Sequence, residues 1–88
     1  METIVYNVAL DIQCEQYDMD QCRYLDWGTE FENMFATKRA AIKVAQSKFA
    51  KQPVNDYVKA VHAAVYKITI TDKGMTGRKR IYNLYKDK

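Results

Sequence analysis

Eighty-eight residues are too few for more than one hydrophobic core, and an apolar share of 48% is too high for a disordered chain. The net charge of +3, from 14 lysines and arginines against 11 acids, hides a strong asymmetry. Residues 1–33 hold eight acids and one base, Arg23, for a sum of −7, while residues 34–88 hold thirteen bases and three acids, for +10.

Residues 3–13 alternate, with Ile4, Tyr6, Val8, Leu10 and Ile12 on one face and Thr3, Asn7, Asp11 and Gln13 on the other. A period of two over this length predicts a strand with one buried face. Residues 14–23 are polar and acidic and read as the loop of a hairpin. Residues 24–35 return as a second strand, with Leu25, Trp27, Phe31 and Phe35 on one parity. Pairing Ile12 with Leu25 sets Leu10 beside Trp27 and Tyr6 beside Phe31, large apolar side chains opposite one another. Gly28 is where a bulge would shift that register.

Thr37 is expected as an N-cap, its hydroxyl accepting an otherwise unpaired amide of the next turn. A helix from Lys38 to about Lys51 follows and ends before Pro53. Ala41, Ile42, Ala45 and Phe49, widened by Val44, form its apolar stripe, with Ile42 expected against Val8, Leu10 and Ile68. Arg39, Lys43, Gln46 and Ser47 face away, which gives the helix a basic outer side. Residues 54–64 read two ways. Tyr57, Val58, Val61 and Ala64 stand at helical spacing, whereas Val58, Ala60, His62 and Ala64 alternate. A strand over about 61–71 is expected, because Tyr66, Ile68 and Ile70 continue the even parity and β-branched residues dominate its end.

Residues 72–77 contain Gly74 and Gly77 and predict a turn, after which residues 78–86 form the last strand. Centring that hairpin on the turn pairs Ile68 with Tyr82 and Tyr66 with Leu84. The predicted fold is α+β: one domain over residues 1–88, an antiparallel sheet of about four strands in the order β-β-α-β-β, and one helix packed on one face.

Chemistry has little to work with. His62 is the only histidine and lies in an alanine-rich stretch, where packing or pairing explains it. Neither cysteine stands at a spacing that would make it a nucleophile with His62. There is no glycine-rich phosphate loop. Asp18, Asp20 and Asp26 match three ligand positions of a calcium loop, but Arg23 replaces the required glycine and Thr29 the twelfth ligand. Cys14 and Cys22 are too few for a disulfide framework and lack the second pair a zinc site needs. They face each other only if the first hairpin is symmetric about Asp18. No enzyme, cofactor or metal is therefore expected. Residues 1–13 have no base ahead of their apolar stretch and carry Asp11, unlike a signal peptide, and no apolar run approaches the ~20 residues that span a bilayer. A cytoplasmic protein away from membranes is expected.

The segment Phe35-Ala36-Thr37-Lys38-Arg39-Ala40-Ala41-Ile42, with a strand before it and strands after, resembles the helix start of small phage and mobile-element proteins. In size and in strand–helix–strand–strand order the chain is similar to some anti-CRISPR proteins. The likeness covers about half the chain, carries no specific motif and transfers no functional residue. It implies a non-enzymatic inhibitor that occupies a surface of a host or defence protein. Many anti-CRISPR proteins are acidic mimics of nucleic acid. The basic helix departs from that pattern, so here only the acidic N-terminal hairpin fits it.

A charge asymmetry of this size points to charged partners, or to two halves that attract each other within the fold. The expected function is a protein-interaction module, with Tyr17, Asp18 and Asp20 at the first hairpin tip and Arg39 and Lys43 on the helix as contact residues. The alternative is a small nucleic-acid-binding module using the last strand. There Arg78, Lys79 and Arg80 meet phosphates and Tyr82 and Tyr85 stack on bases. A basic edge strand also guards a sheet against aggregation.

Overall fold

The structure is a computed structural model and describes residues 1–17 and 23–88. Strands β1 (Thr3–Tyr17), β2 (Arg23–Phe35), β3 (Val58–Thr71) and β4 (Gly74–Asp87) form a single antiparallel sheet in the order β2-β1-β3-β4. Helix α1 (Lys38–Lys51) connects β2 to β3 and lies over the two central strands, β1 and β3. The α+β fold and the β-β-α-β-β order are those the alternation and capping signals predict.

Thr37 begins the helix as expected. Its backbone is extended, and its hydroxyl accepts a hydrogen bond from the Ala40 amide at 3.2 Å. At the other end the Gln52 amide donates to the Phe49 carbonyl, and Pro53 prevents another turn. Ala41 and Ala45 are fully buried and bring the helix down onto Val8, Leu10, Val61, Ala63 and Val65. Burial of these side chains is the main source of stability in the domain. Ile42 does not take the central place assigned to it: it is half-buried beside the alanines, and Ile68 lies on the opposite face of the sheet. The molecule measures 52 × 27 × 15 Å, whereas a 14-residue helix is ~21 Å long, so the strands run well beyond their cover.

The strands are longer than the sequence pattern suggests, and their registers differ. β1 continues through Tyr17 and β2 starts at Arg23, so residues 14–17 and 23 are strand. An ion pair between Arg23 and Glu15 at 2.9 Å ties the two ends together. In β1–β2, Tyr6 pairs with Phe35 and Leu10 with Phe31, but Asp11 pairs with Thr29, which leaves Glu30 as an extra residue. The bulge sits two residues from Gly28. It reverses the parity of β2, because Phe31 and Phe35 turn toward the helix while Trp27 and Leu25, opposite Gln13 and Glu15, turn to the other face. Cys14 pairs with Asp26, so the hairpin is not symmetric about Asp18, and Cys22 itself lies outside the described residues.

The ambiguous stretch resolves as strand from Val58. The Asn55 side chain accepts from the amides of Tyr57 and Val58, each at 2.8 Å, and so turns the chain into β3. The last hairpin turns on Asp72 and Lys73 alone, helped by Gly74 at φ 98°, a left-handed conformation that favours glycine. Residues 74–77 are therefore strand rather than turn. Bulges at Thr76 and Ile81 place Ile68 opposite Arg78, Tyr66 opposite Arg80 and Val65 opposite Tyr82. The symmetric register that paired Ile68 with Tyr82 does not form.

Candidate functional site: the two sides of the sheet

Cross-strand partners share a face, so the registers sort every strand residue onto one of two sides. On the helix side lie Val8, Leu10, Val61, Ala63 and Val65, with Phe31, Phe35, Tyr82 and Leu84 around them. The opposite, open face has no element over it among the described residues. Its middle consists of three rows that run across all four strands. Trp27, Gln13, Ala60 and Asp87 form one, Thr29, Asp11, His62 and Tyr85 the next, and Glu32, Ala9, Ala64 and Asn83 the third.

Ala64 is 0% exposed although no layer covers it, because a methyl group between larger neighbours lies at the bottom of a trough. The rims of the trough carry large, exposed side chains. On β2 these are Leu25 at 54%, Trp27 at 44% and Met34 at 53%, and on β4 Tyr85 at 55%. The polar row is partly tied down: Thr29 Oγ1 donates to Asp11 Oδ1 at 2.9 Å, and the Tyr85 hydroxyl donates to Asp87 at 3.3 Å. Desolvation, then the charge of Asp87 and this hydrogen bond, push the Tyr85 phenol above its ordinary pKa. His62 stands across from Asp11 in this row, and no hydrogen bond or ion pair joins the two side chains.

The charge asymmetry of the sequence becomes a polarity across the sheet. β2 is an acidic edge, with Asp26, Glu30 and Glu32, and β4 is a basic edge, with Arg78, Lys79, Arg80 and Lys86. Internal attraction uses little of it. Among the described residues the ion pairs are Arg23–Glu15, Lys59–Glu15 at 3.9 Å, and Lys88–Asp56, and of these only Lys59–Glu15 joins the acidic half to the basic half. Helix α1 carries five cations and no acid, and Lys38 and Arg39 oppose its dipole in the first turn.

The expected contact residues fall in two places. Tyr17 ends β1 two pairs beyond Glu15 and Leu25, which puts it at the Trp27 end of the sheet, and Asp18 and Asp20 lie outside the described residues. Arg39 and Lys43 are exposed on the helix, beside Ile42 and Gln46 in a shallow depression. The five residues expected to bind nucleic acid along β4 do not share one surface. Arg78, Arg80 and Tyr85 are on the open face, where Arg78 lies over the Tyr66 ring at 4.0 Å, while Lys79 and Tyr82 are on the helix side. The Tyr82 hydroxyl accepts a hydrogen bond from the Gln46 amide at 3.0 Å.

Sequence reasoning missed the exposed Trp27 and Leu25. The signal was present in the Thr29-Glu30 step, but an alternation count has no term for an extra residue. Among the described residues no group of three or more His, Cys, Asp or Glu side chains is placed to hold a metal ion, and no helix is long and apolar enough to cross a membrane. Comparison with protein families, with curated proteins and with solved structures finds no match to this chain.

Proposed function

We propose that the protein is a non-catalytic interaction module, an inhibitor of the phage type, whose open sheet face occupies a surface of another protein. The observation that supports this reading is the open face itself. Trp27, Leu25, Met34 and Tyr85 stand exposed around a floor of Ala9, Ala60 and Ala64, interrupted by Asp11 and His62, on the side that α1 leaves bare. Aromatic and methionine side chains are enriched at interfaces, and an apolar patch rimmed by charges marks a contact surface. At ~3.3 Å per residue and ~4.8 Å per strand, a four-stranded face of this length offers about 900 Å², close to the ~800 Å² per partner of a standard interface.

The partner's chemistry follows from the rim. It presents an apolar ridge to the trough with a basic group for Asp11 in its middle, a basic group toward Glu32, and acidic groups toward Arg78 and Arg80.

The test starts from nuclease-treated extract of the cells the protein comes from. A retained protein is identified by mass spectrometry, purified and titrated. Trp27→Ala with Leu25→Ala should weaken that purified pair at least about tenfold, as interface anchors do. Arg39→Gln with Lys43→Gln, on the other side, should change it little. A partner held equally well by the Trp27 and Leu25 variant would overturn the reading, as would a chain whose open face is already closed by a second copy in light scattering.

A further inference from the structure

We infer that the helix side carries a second, independent binding surface, on which Arg39 and Lys43 of α1 and Lys67 and Lys79 of the sheet receive the phosphate backbone of a duplex nucleic acid. Gln46 hydrogen-bonds Tyr82 of β4, so the helical stripe containing Arg39, Lys43 and Gln46 looks toward β4. Lys79 lies on the same side of the sheet. It pairs with Lys67, which pairs with Tyr6, a residue packed against the helix-side core. Arg39 and Lys43 thus line the depression, and Lys67 and Lys79 are exposed on the same side of the sheet toward the basic edge.

Three observations set these four apart from ordinary solvated lysines. Lys67 and Lys79 are directly opposite each other on neighbouring strands, an arrangement that destabilises a sheet unless an anion answers it. None of the four belongs to an ion pair among the described residues. Two other cations of this side are held by the fold: Lys48 lies over Phe31, and Lys86 lies over Phe49 and donates to its carbonyl at 2.8 Å, while Lys38 and Lys51 stand at the two ends of α1. The acids of this side stand apart, with Glu30 on the far edge strand β2 beside Ile12 and Asp26. Along β1, Glu2 is four residues from Tyr6, and Cys14, the partner of Asp26, is eight residues away on the other flank. At ~3.3 Å per residue these are separations of about 13 and 26 Å.

The form of the ligand follows from what the helix side lacks. Single-stranded nucleic acid is gripped by stacking bases on aromatic faces. Here Tyr82 is tied to Gln46, Tyr6 packs against the core, and Trp27 and Tyr85 are on the opposite face. Cations without a stacking platform suit a regular phosphate backbone, read without sequence preference.

Fluorescence anisotropy with 20-base-pair duplexes of DNA and of RNA, and with the matching single strands, tests this at 50 and 200 mM potassium chloride. Four phosphates neutralised give a log–log salt slope of about −3.6, a loss of affinity of roughly 150-fold over that range. Arg39→Gln with Lys43→Gln, or Lys67→Gln with Lys79→Gln, should each halve the slope, and the fourfold variant should abolish binding with an unchanged circular dichroism melt. Arg78→Gln with Arg80→Gln, on the open face, should leave the slope as it was. Binding of either duplex on these terms supports the inference, and the tighter one identifies the source. No duplex binding at 50 mM salt, tighter binding of single strands, or loss of binding through Arg78 and Arg80 instead would each overturn it. The partner test above uses nuclease-treated extract and open-face variants, so either result stands without the other.

Discussion

On β3, Val61, Ala63 and Val65 point beneath the helix, and Ala60, Ala64 and Ile68, at alternate positions of the strand, point the other way. Both sets are buried, to 4% exposure or less. The first set is buried by a layer, the second by its neighbours. A side chain under α1 has Ala41 and Ala45 directly above it, so nothing can be added without moving the helix. A methyl group on the open face is hidden only because the residues around it are taller. Burial alone therefore does not distinguish a core from the floor of a contact surface, whereas room above the residue does.

The comparison is easiest to break with substitutions that add atoms. Ala45→Asp places an unpaired carboxylate between helix and sheet and should destabilise by about 3 kcal/mol or more, a large share of the stability of a domain this small. A cooperative melt at the parent temperature would show that the helix is not seated where its alanines put it. Ala63→Leu should overpack the covered side by about 1–3 kcal/mol in urea unfolding, while Ala64→Leu, free to rise into solvent, should stay under about 1 kcal/mol. Equal losses would mean that the open face is already covered. Thr37→Ala removes the cap that seats the helix over its side of the sheet and should lower stability by about 1 kcal/mol in the same assay. The smallest effect concerns the open face alone. Asp87→Asn removes the carboxylate beside Tyr85 and should lower the phenol pKa toward its ordinary value in a spectrophotometric titration. An unmoved titration would show that Asp87 contributes nothing and desolvation everything.

Much of this was legible in the chain. The alternation of residues 3–13, the Thr37 hydroxyl, the helix limits and the sign change in charge after Asn33 each correspond to a feature of the fold. Register was not legible, because a period-two pattern is blind to single extra residues, and β2 and β4 each contain at least one. For that reason Trp27 and Leu25 were expected to face the core side of the sheet, and the basic residues of β4 were read as one stripe when they divide between two sides. The even parity of Tyr66, Ile68 and Ile70 was real, but it marks the open face. Apolar alternation shows that a face is half-dry and leaves open which layer, if any, lies on it.

The same bulges make the chain unequal in its tolerance of changes in length. Glu30, Lys59, Thr76 and Ile81 are the residues at which one strand is a residue longer than its neighbour. Deleting Glu30 closes the β1–β2 ladder without moving a single pair: Leu10 keeps Phe31, Asp11 keeps Thr29, and Trp27 stays outward. Deleting a paired residue nearby, such as Trp27 itself, draws Asp26 or Gly28 into its place and reverses one flank of the strand. A deletion scan of β2 should therefore show a single permissive site among intolerant ones, with the gap in an otherwise even strand marking where the two faces part company.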